Sequence, residues 1–148
     1  VSVETDEKPK IIFLVEDNKA DIRLIQEALK NSAVLHQVIT VRNGMDAMAY
    51  LHKEGEYADA VRPDLILLDL NLPRKDGREV LAEIKTDPDL KRIPVVVLTT
   101  SRNEEDIYQS YDLNVNCYIT KSRNLGELFQ IVKGIEEFWL ATATLPSA

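Results

Sequence analysis

A chain of 148 residues predicts one compact domain, and its 45% hydrophobic and 29% charged residues exclude a disordered polypeptide. A formal charge of −7 without a basic stripe speaks against nucleic-acid binding. One cysteine, no apolar segment of about 20 residues and no basic-plus-apolar leader predict a cytoplasmic protein that does not engage the membrane.

Residues 1–9 are polar and acidic and end in Pro9, so a frayed terminus is expected, followed by one domain over 10–140, a tail over 141–148 and no output domain. The fold opens with an unalternated apolar run at 11–15, the pattern of a strand buried on both faces. Ile22, Ile25 and Leu29 then recur at helical spacing. A second run at 38–41 precedes a helix marked by Met45, Met48 and Leu51, and a third at 65–68 precedes one marked by Val80, Leu81 and Ile84. A fourth run at 95–98 leads to a helix over 104–111, and a weaker one at 117–119 leads to a last helix over 125–140. Five strands alternating with five helices predict a doubly wound parallel α/β sheet. Right-handed crossovers bring every strand's C-terminal end to one edge of such a sheet.

The residues that close the strands are polar. Glu16 and Asp17 follow the first, Asp69 the third, Thr99 the fourth and Lys121 the fifth. Three carboxylates in one crevice repel each other unless a cation shares the space or a proton stays bound. Mg2+ suits oxygen donors of this kind, and Mn2+ could take its place. Asp17 and Asp69 supply carboxylates, Asn71 its backbone carbonyl, and Glu16 a contact through water. The Asp69 carboxylate can then attack a phosphoryl group in line, with Lys121 and the Thr99 hydroxyl gripping its oxygens. Each residue also has a plainer reading: Asp17 as a helix cap, Glu16 as a loop acid, Thr99 as a structural strand end, Lys121 as a solvated cation. Asp69 resists one, because an acid placed straight after Leu-Ile-Leu-Leu is costly to bury without a purpose.

Four stretches carry a resemblance: Leu14-Val15-Glu16-Asp17-Asn18, then Asp69-Leu70-Asn71-Leu72-Pro73 with Asp76-Gly77, then Leu98-Thr99-Thr100-Ser101, then Tyr118-Ile119-Thr120-Lys121. In this order they resemble the receiver domains of bacterial response regulators. The resemblance implies a flavodoxin-like receiver fold, a five-stranded parallel sheet in strand order 2-1-3-4-5. It implies that a sensor histidine kinase phosphorylates Asp69, that Glu16, Asp17 and Asn71 organise the Mg2+, and that Thr99 and Lys121 bind the phosphoryl oxygens. Tyr118 is then an aromatic switch acting with Thr99; the plainer reading rests its ring on the sheet with the hydroxyl in water. Arg62-Pro63-Asp64-Leu65, Val115-Asn116-Cys117-Tyr118 and residues 77–85 and 134–140 look more narrowly like the small response regulators paired with cyanobacterial phytochromes. That likeness implies a phytochrome kinase and light as the input. One departure stands out, since most receivers carry proline after the lysine and this chain has Ser122. A cis bond before a non-proline residue costs roughly 2.5–4 kcal/mol, so either the Lys121-Ser122 bond is strained or the loop has another shape.

The protein is thus expected to be no enzyme beyond its own Mg2+-dependent phosphorylation and dephosphorylation, and to signal by changing what its surface binds to an unknown downstream protein. At about 100° per residue, Leu128, Val132, Ile135 and Trp139 share a core face of the last helix, while Ile131 and Phe138 lie beside it and Leu140 extends their stripe. A homodimer through the fourth helix, fifth strand and fifth helix is expected; a broad intramolecular core face is the alternative. Two other functions are open: a receiver-fold binding module independent of phosphorylation, and an aspartyl-nucleophile phosphatase. The second is weakened by Asn71, which stands where such enzymes carry a second acid.

Overall fold

A computed structural model describes residues 8–146, so most of the expected frayed terminus, residues 1–7, lies outside the described residues. Strands β1 (Lys10–Val15), β2 (His36–Val41), β3 (Leu65–Leu68), β4 (Val95–Thr99) and β5 (Cys117–Thr120) form one parallel sheet in the order β2-β1-β3-β4-β5. Helices α1 (Lys19–Lys30), α2 (Gly44–Leu51), α3 (Gly77–Thr86), α4 (Glu104–Asp112) and α5 (Leu125–Ile135) join them. The expected sheet, its order and its five helices are all present. Among the described residues no helix is long and apolar enough to cross a membrane.

Burial explains the two kinds of strand. β3 and β4 are buried at every position and β1 at all but Lys10, because both their faces are covered, while the edge strands β2 and β5 are half-exposed. Side chains alternate across the sheet, so Phe13, Val15, Ile66, Leu68 and Val97 pack toward α2 and α3. Ile12, Leu14, Leu67, Val96 and Leu98 pack toward α1 and α5. Each side chain of this size contributes about 1.5–3 kcal/mol when fully buried. Each of α1 to α5 begins on an Asn or Asp whose side chain accepts a backbone N–H two or three residues on: Asn18, Asn43, Asp76, Asn103 and Asn124. α4 differs from the rest, since the residues it buries are Asp106 and Ser110 rather than apolar side chains.

The last helix departs from expectation. Regular α-helix stops at Ile135, and residues Glu136–Thr142 continue as a π-helix. In an α-helix Trp139 would return to the face of Ile135, but i→i+5 bonding delays that return by about one residue. Leu140 therefore enters the core at 6% exposure, where it was expected to extend an exposed stripe. Trp139 is only half-buried, and its ring meets the exposed Phe138 edge-on at 5.2 Å. The wider coil is pinned at its start, where buried Glu136 accepts the Ser32 hydroxyl at 2.6 Å from the end of α1.

Candidate functional site

The loops after β1, β3, β4 and β5 meet at one sheet edge. After β1, Asn18 rather than Asp17 caps α1, accepting the Asp21 N–H at 3.0 Å, so Asp17 is free of that structural duty. After β3, the Asp69 N–H donates to the Val15 carbonyl at 3.0 Å and the Asn71 N–H returns to Asp69 Oδ1 at 3.1 Å. The start of α3 lies against this loop so closely that a Cβ on Gly77 would collide with the backbone of Asp69 and Leu70. That close approach explains glycine after the Asp76 cap.

Side chains then converge. Carboxylate oxygens of Glu16, Asp17 and Asp69 lie within 4.8 Å of one another. Thr99 Oγ1 donates to Asp69 Oδ1 at 2.7 Å. Lys121 Nζ donates to Glu16 Oε1 at 2.7 Å, to Asp21 Oδ2 at 2.8 Å and to Asp69 Oδ2 at 3.1 Å. Glu16, Asp69, Thr99 and Lys121 are buried and Asn71 is exposed, so Lys121 is not a solvated cation, nor Glu16 an exposed loop acid. The Lys121-Ser122 bond is trans, as are all peptide bonds among the described residues, so the loop has the other shape.

Electrostatically the pocket is short of positive charge, with four carboxylates around one ammonium. Burial, reinforced by the Asp69 charge, pushes the Glu16 carboxyl up to about 7 even though Lys121 pulls the other way. Burial alone would depress the Lys121 ammonium, but the Asp69 and Glu16 charges outweigh it and hold it above its ordinary value. Clustered oxygen donors with unbalanced negative charge are the donor set that a hard divalent cation fits.

A second polar chain starts at the loop after β3 and was not legible in the sequence. Arg78 donates from Nη1 to the Leu70 carbonyl at 3.3 Å and grips Asp106 of α4 twice, at 2.7 Å from both Nε and Nη2. Asp106 also accepts the Ser101 hydroxyl at 2.7 Å, and the Tyr118 hydroxyl donates to the Ser101 carbonyl at 3.0 Å. Tyr118 thus has a protein partner rather than water alone. The Arg78 hydrogen bonds hold the Asp106 carboxyl down at about 2 and raise the guanidinium above its usual range.

This pair links stability to pH. A carboxyl with a depressed folded-state value stabilises the fold above its ordinary value near 4, and the contribution disappears as pH falls through about 2. Asp106→Asn is expected to cost about 1.5 kcal/mol at pH 7, the low end for charged hydrogen bonds because the Arg78 side chain is 37% exposed. Urea unfolding of both proteins from pH 7 to pH 2 should show that gap closing at the acid end; a gap independent of pH would refute the account.

Comparison with known proteins places the chain among relatives. The sequence matches the response regulator receiver domain over residues 12–133. Response regulator Rcp1 of Synechocystis sp. is 67% identical over 140 residues, which cover 95% of each chain. The crystal structure of the phosphorylated cyanobacterial phytochrome response regulator RcpA aligns with a TM-score of 0.92 at 81% identity, covering 95% of this chain and 100% of that one. The Mn2+-bound form of response regulator Rcp1 aligns with a TM-score of 0.93 at 67% identity, covering 94% and 100% respectively.

Proposed function

This chain belongs to the response regulator receiver domain family, and from that premise we propose that Asp69 accepts a phosphoryl group from a phosphohistidine on a sensor histidine kinase. The observation that carries the reading is the convergence of Thr99 and Lys121 on the two oxygens of one buried aspartate, Oδ1 and Oδ2. An Asp69 oxygen forms the new P–O bond as the P–N bond of the phosphohistidine breaks and imidazole leaves. Lys121 and Thr99 are hydrogen-bond donors fixed before the reaction, so they can turn to the phosphoryl oxygens with little reorganisation. A bound Mg2+ or Mn2+, held by Asp17, Asp69, the Asn71 carbonyl and, through water, Glu16, would neutralise charge on the transferring group. Incubating the native chain with a small phosphodonor and Mg2+ tests the reading: intact mass should rise by one phosphoryl group, and no rise would sink it.

The kinase is a phytochrome on this reading, which rests on the similarity to the cyanobacterial phytochrome regulators RcpA and Rcp1. The domain spans residues 10–140, and the chain works in the cytoplasm. Two residues carry the signal away from Asp69. When Thr99 turns from Asp69 to the phosphoryl group, the loop after β4 follows, and Tyr118 is tied to that loop through Ser101. α4 is the element free to respond, because it buries Asp106 and Ser110 in place of an apolar stripe and has little hydrophobic burial to lose by moving.

The output surface is a homodimer through α4, β5 and α5, from which an unknown downstream protein takes the signal. Tyr108, Tyr111, Leu125 and Phe138 are large apolar side chains left exposed on or beside these elements. Ile131 of α5 is half-buried and packs against the core, and Leu140 is withdrawn into it. Phe138→Glu is expected to convert a dimer into a monomer without unfolding it, since Phe138 is 53% exposed. Light scattering decides the matter: an unchanged dimer, or a monomeric native chain, refutes the interface.

A further inference from the structure

Asp21 belongs to none of the motifs that mark the site, yet its carboxylate reaches Lys121, 100 residues away in sequence, at 2.8 Å. We propose that Asp21 is the positioning residue for Lys121, the anchor that holds the ammonium in place for phosphoryl transfer at Asp69; this rests on the reading of Asp69 as acceptor.

Lys121 has three ammonium protons and three acceptors, one oxygen each from Glu16, Asp21 and Asp69. Two of the three are unreliable anchors during the reaction. Asp69 becomes an acyl phosphate and presents its new phosphoryl oxygens, so the proton aimed at it must turn. Glu16 belongs to the carboxylate cluster that suits a divalent cation, and a cation there competes with the ammonium for it. Asp21 lies outside that cluster and takes no part in the bond change. Its side chain is 17% exposed and its backbone is fixed, because the Asp21 N–H is held by the Asn18 cap at 3.0 Å.

The loop that carries Lys121 makes such an anchor useful. The Lys121 N–H continues the β5 ladder by donating to the Thr99 carbonyl at 2.7 Å, and the next residue is Ser122 with a trans bond before it. Ser122 spends its hydroxyl on Glu127 at 2.6 Å and on the Asn124 N–H at 3.1 Å, so it braces the start of α5 and makes no contact that orients Lys121. Backbone alone leaves a lysine with four rotatable bonds to place, and the carboxylate from α1 removes that freedom. Helix-start preference explains an acid in the first turn of α1. It does not explain a carboxylate turned inward to a buried ammonium.

The test is a two-by-two comparison of native, Asp21→Asn, Lys121→Ala and the double variant, each phosphorylated by a small donor with saturating Mg2+ and followed by intact mass. Asp21→Asn is expected to slow phosphoryl uptake about 10-fold in the native background, the low end for losing a group that orients an active-site side chain, and by less than about 2-fold once Lys121 is gone. Asp21→Glu should restore most of the rate. A metal-free readout accompanies these rates: the Lys121 ammonium resonance in nitrogen NMR is expected to be sharp in the native chain and to broaden by solvent exchange in Asp21→Asn. Equal slowing in both backgrounds, an unslowed Asp21→Asn, or an unchanged ammonium resonance overturns the proposal. If Lys121→Ala does not fold, Lys121→Gln takes its place in the comparison. Absence of phosphoryl uptake by the native chain would instead overturn the acceptor reading itself, so the two failures are distinguishable.

Discussion

Asp69→Asn is expected to gain no phosphoryl mass under conditions in which the native chain gains one group, and to remain folded. Asparagine has the shape of aspartate, so the pocket need not collapse. Its remaining carbonyl oxygen can keep the Thr99 hydroxyl and the Asn71 N–H, both of which now bond Asp69 Oδ1. Its amide, however, faces Lys121 Nζ where Asp69 Oδ2 now stands, and two donors cannot bond each other. Lys121 keeps Glu16 and Asp21, so the buried ammonium stays paired. The change also relieves a pocket that holds four carboxylates, so the unfolding midpoint should move little in either direction. Affinity for Mg2+ should fall at least about 10-fold, because one of the cluster's carboxylates is gone. Intact mass and a Mg2+ titration check both halves, and a variant that gains as much phosphoryl mass as the native chain would move the acceptor elsewhere.

The strands and the edge on which chemistry sits were legible because they follow from local pattern and handedness. Four-residue apolar runs such as Leu65–Leu68 mark buried strands, and the crossover rule alone gathers Glu16, Asp17, Asp69, Thr99 and Lys121. Choosing among neighbours was harder. Asp17 and Asn18 are both good caps, and only the loop geometry shows Asn18 taking the role. Long-range polar pairs left no trace in the sequence, because Asp21 with Lys121 and Arg78 with Asp106 obey no period. An acid one helical turn beyond Asp17 was a signal for Asp21, but an acid in a first turn has an ordinary explanation in the helix dipole. The π-helix after Ile135 was likewise hidden, since an i→i+5 turn has no composition of its own, and Leu140 was assigned to the wrong face as a result.

Two polar routes leave Asp69, and they differ in what they can transmit. The first runs through Thr99 to the loop after β4 and on to Tyr118, and on the proposed phosphorylation of Asp69 it would change partners, because Thr99 bonds Asp69 directly. The second, from the Leu70 carbonyl through Arg78 to Asp106, holds α4 by a charged pair whose hydrogen bonds do not involve the Asp69 side chain. Both meet at Ser101, whose hydroxyl goes to Asp106 while its carbonyl takes Tyr118. A shift of that loop would therefore strain the Arg78–Asp106–Ser101 contacts of a helix with little apolar burial, which is how a local charge change can bias a two-state element.

Lys121→Ala is expected to have the largest effect on stability, and the effect should depend on divalent cation. Native Lys121 is the ammonium that balances Glu16, Asp21 and Asp69 in a site where its side chain is 3% exposed. Removing one partner from a buried ion pair leaves uncompensated charge and costs about 3–5 kcal/mol. Without Mg2+ the variant should therefore unfold at markedly lower urea concentration than the native chain. Carboxylates deprived of an ammonium offer themselves to another cation, so the variant should bind Mg2+ more tightly than the native chain does. Added Mg2+ at about 100 times its dissociation constant would return about 2.7 kcal/mol, most of the loss. The native chain should gain less from the same addition, because there the cation must compete with Lys121 for Glu16 and Asp69. Phosphoryl uptake, by contrast, should stay impaired at saturating Mg2+, since the metal replaces the charge of Lys121 but not its hydrogen bonds to the phosphoryl oxygens. Urea unfolding with chelator and with Mg2+, run beside the mass assay, separates the two roles: equal stability of both proteins in chelator would show that the three carboxylate contacts of Lys121 do not stabilise the fold.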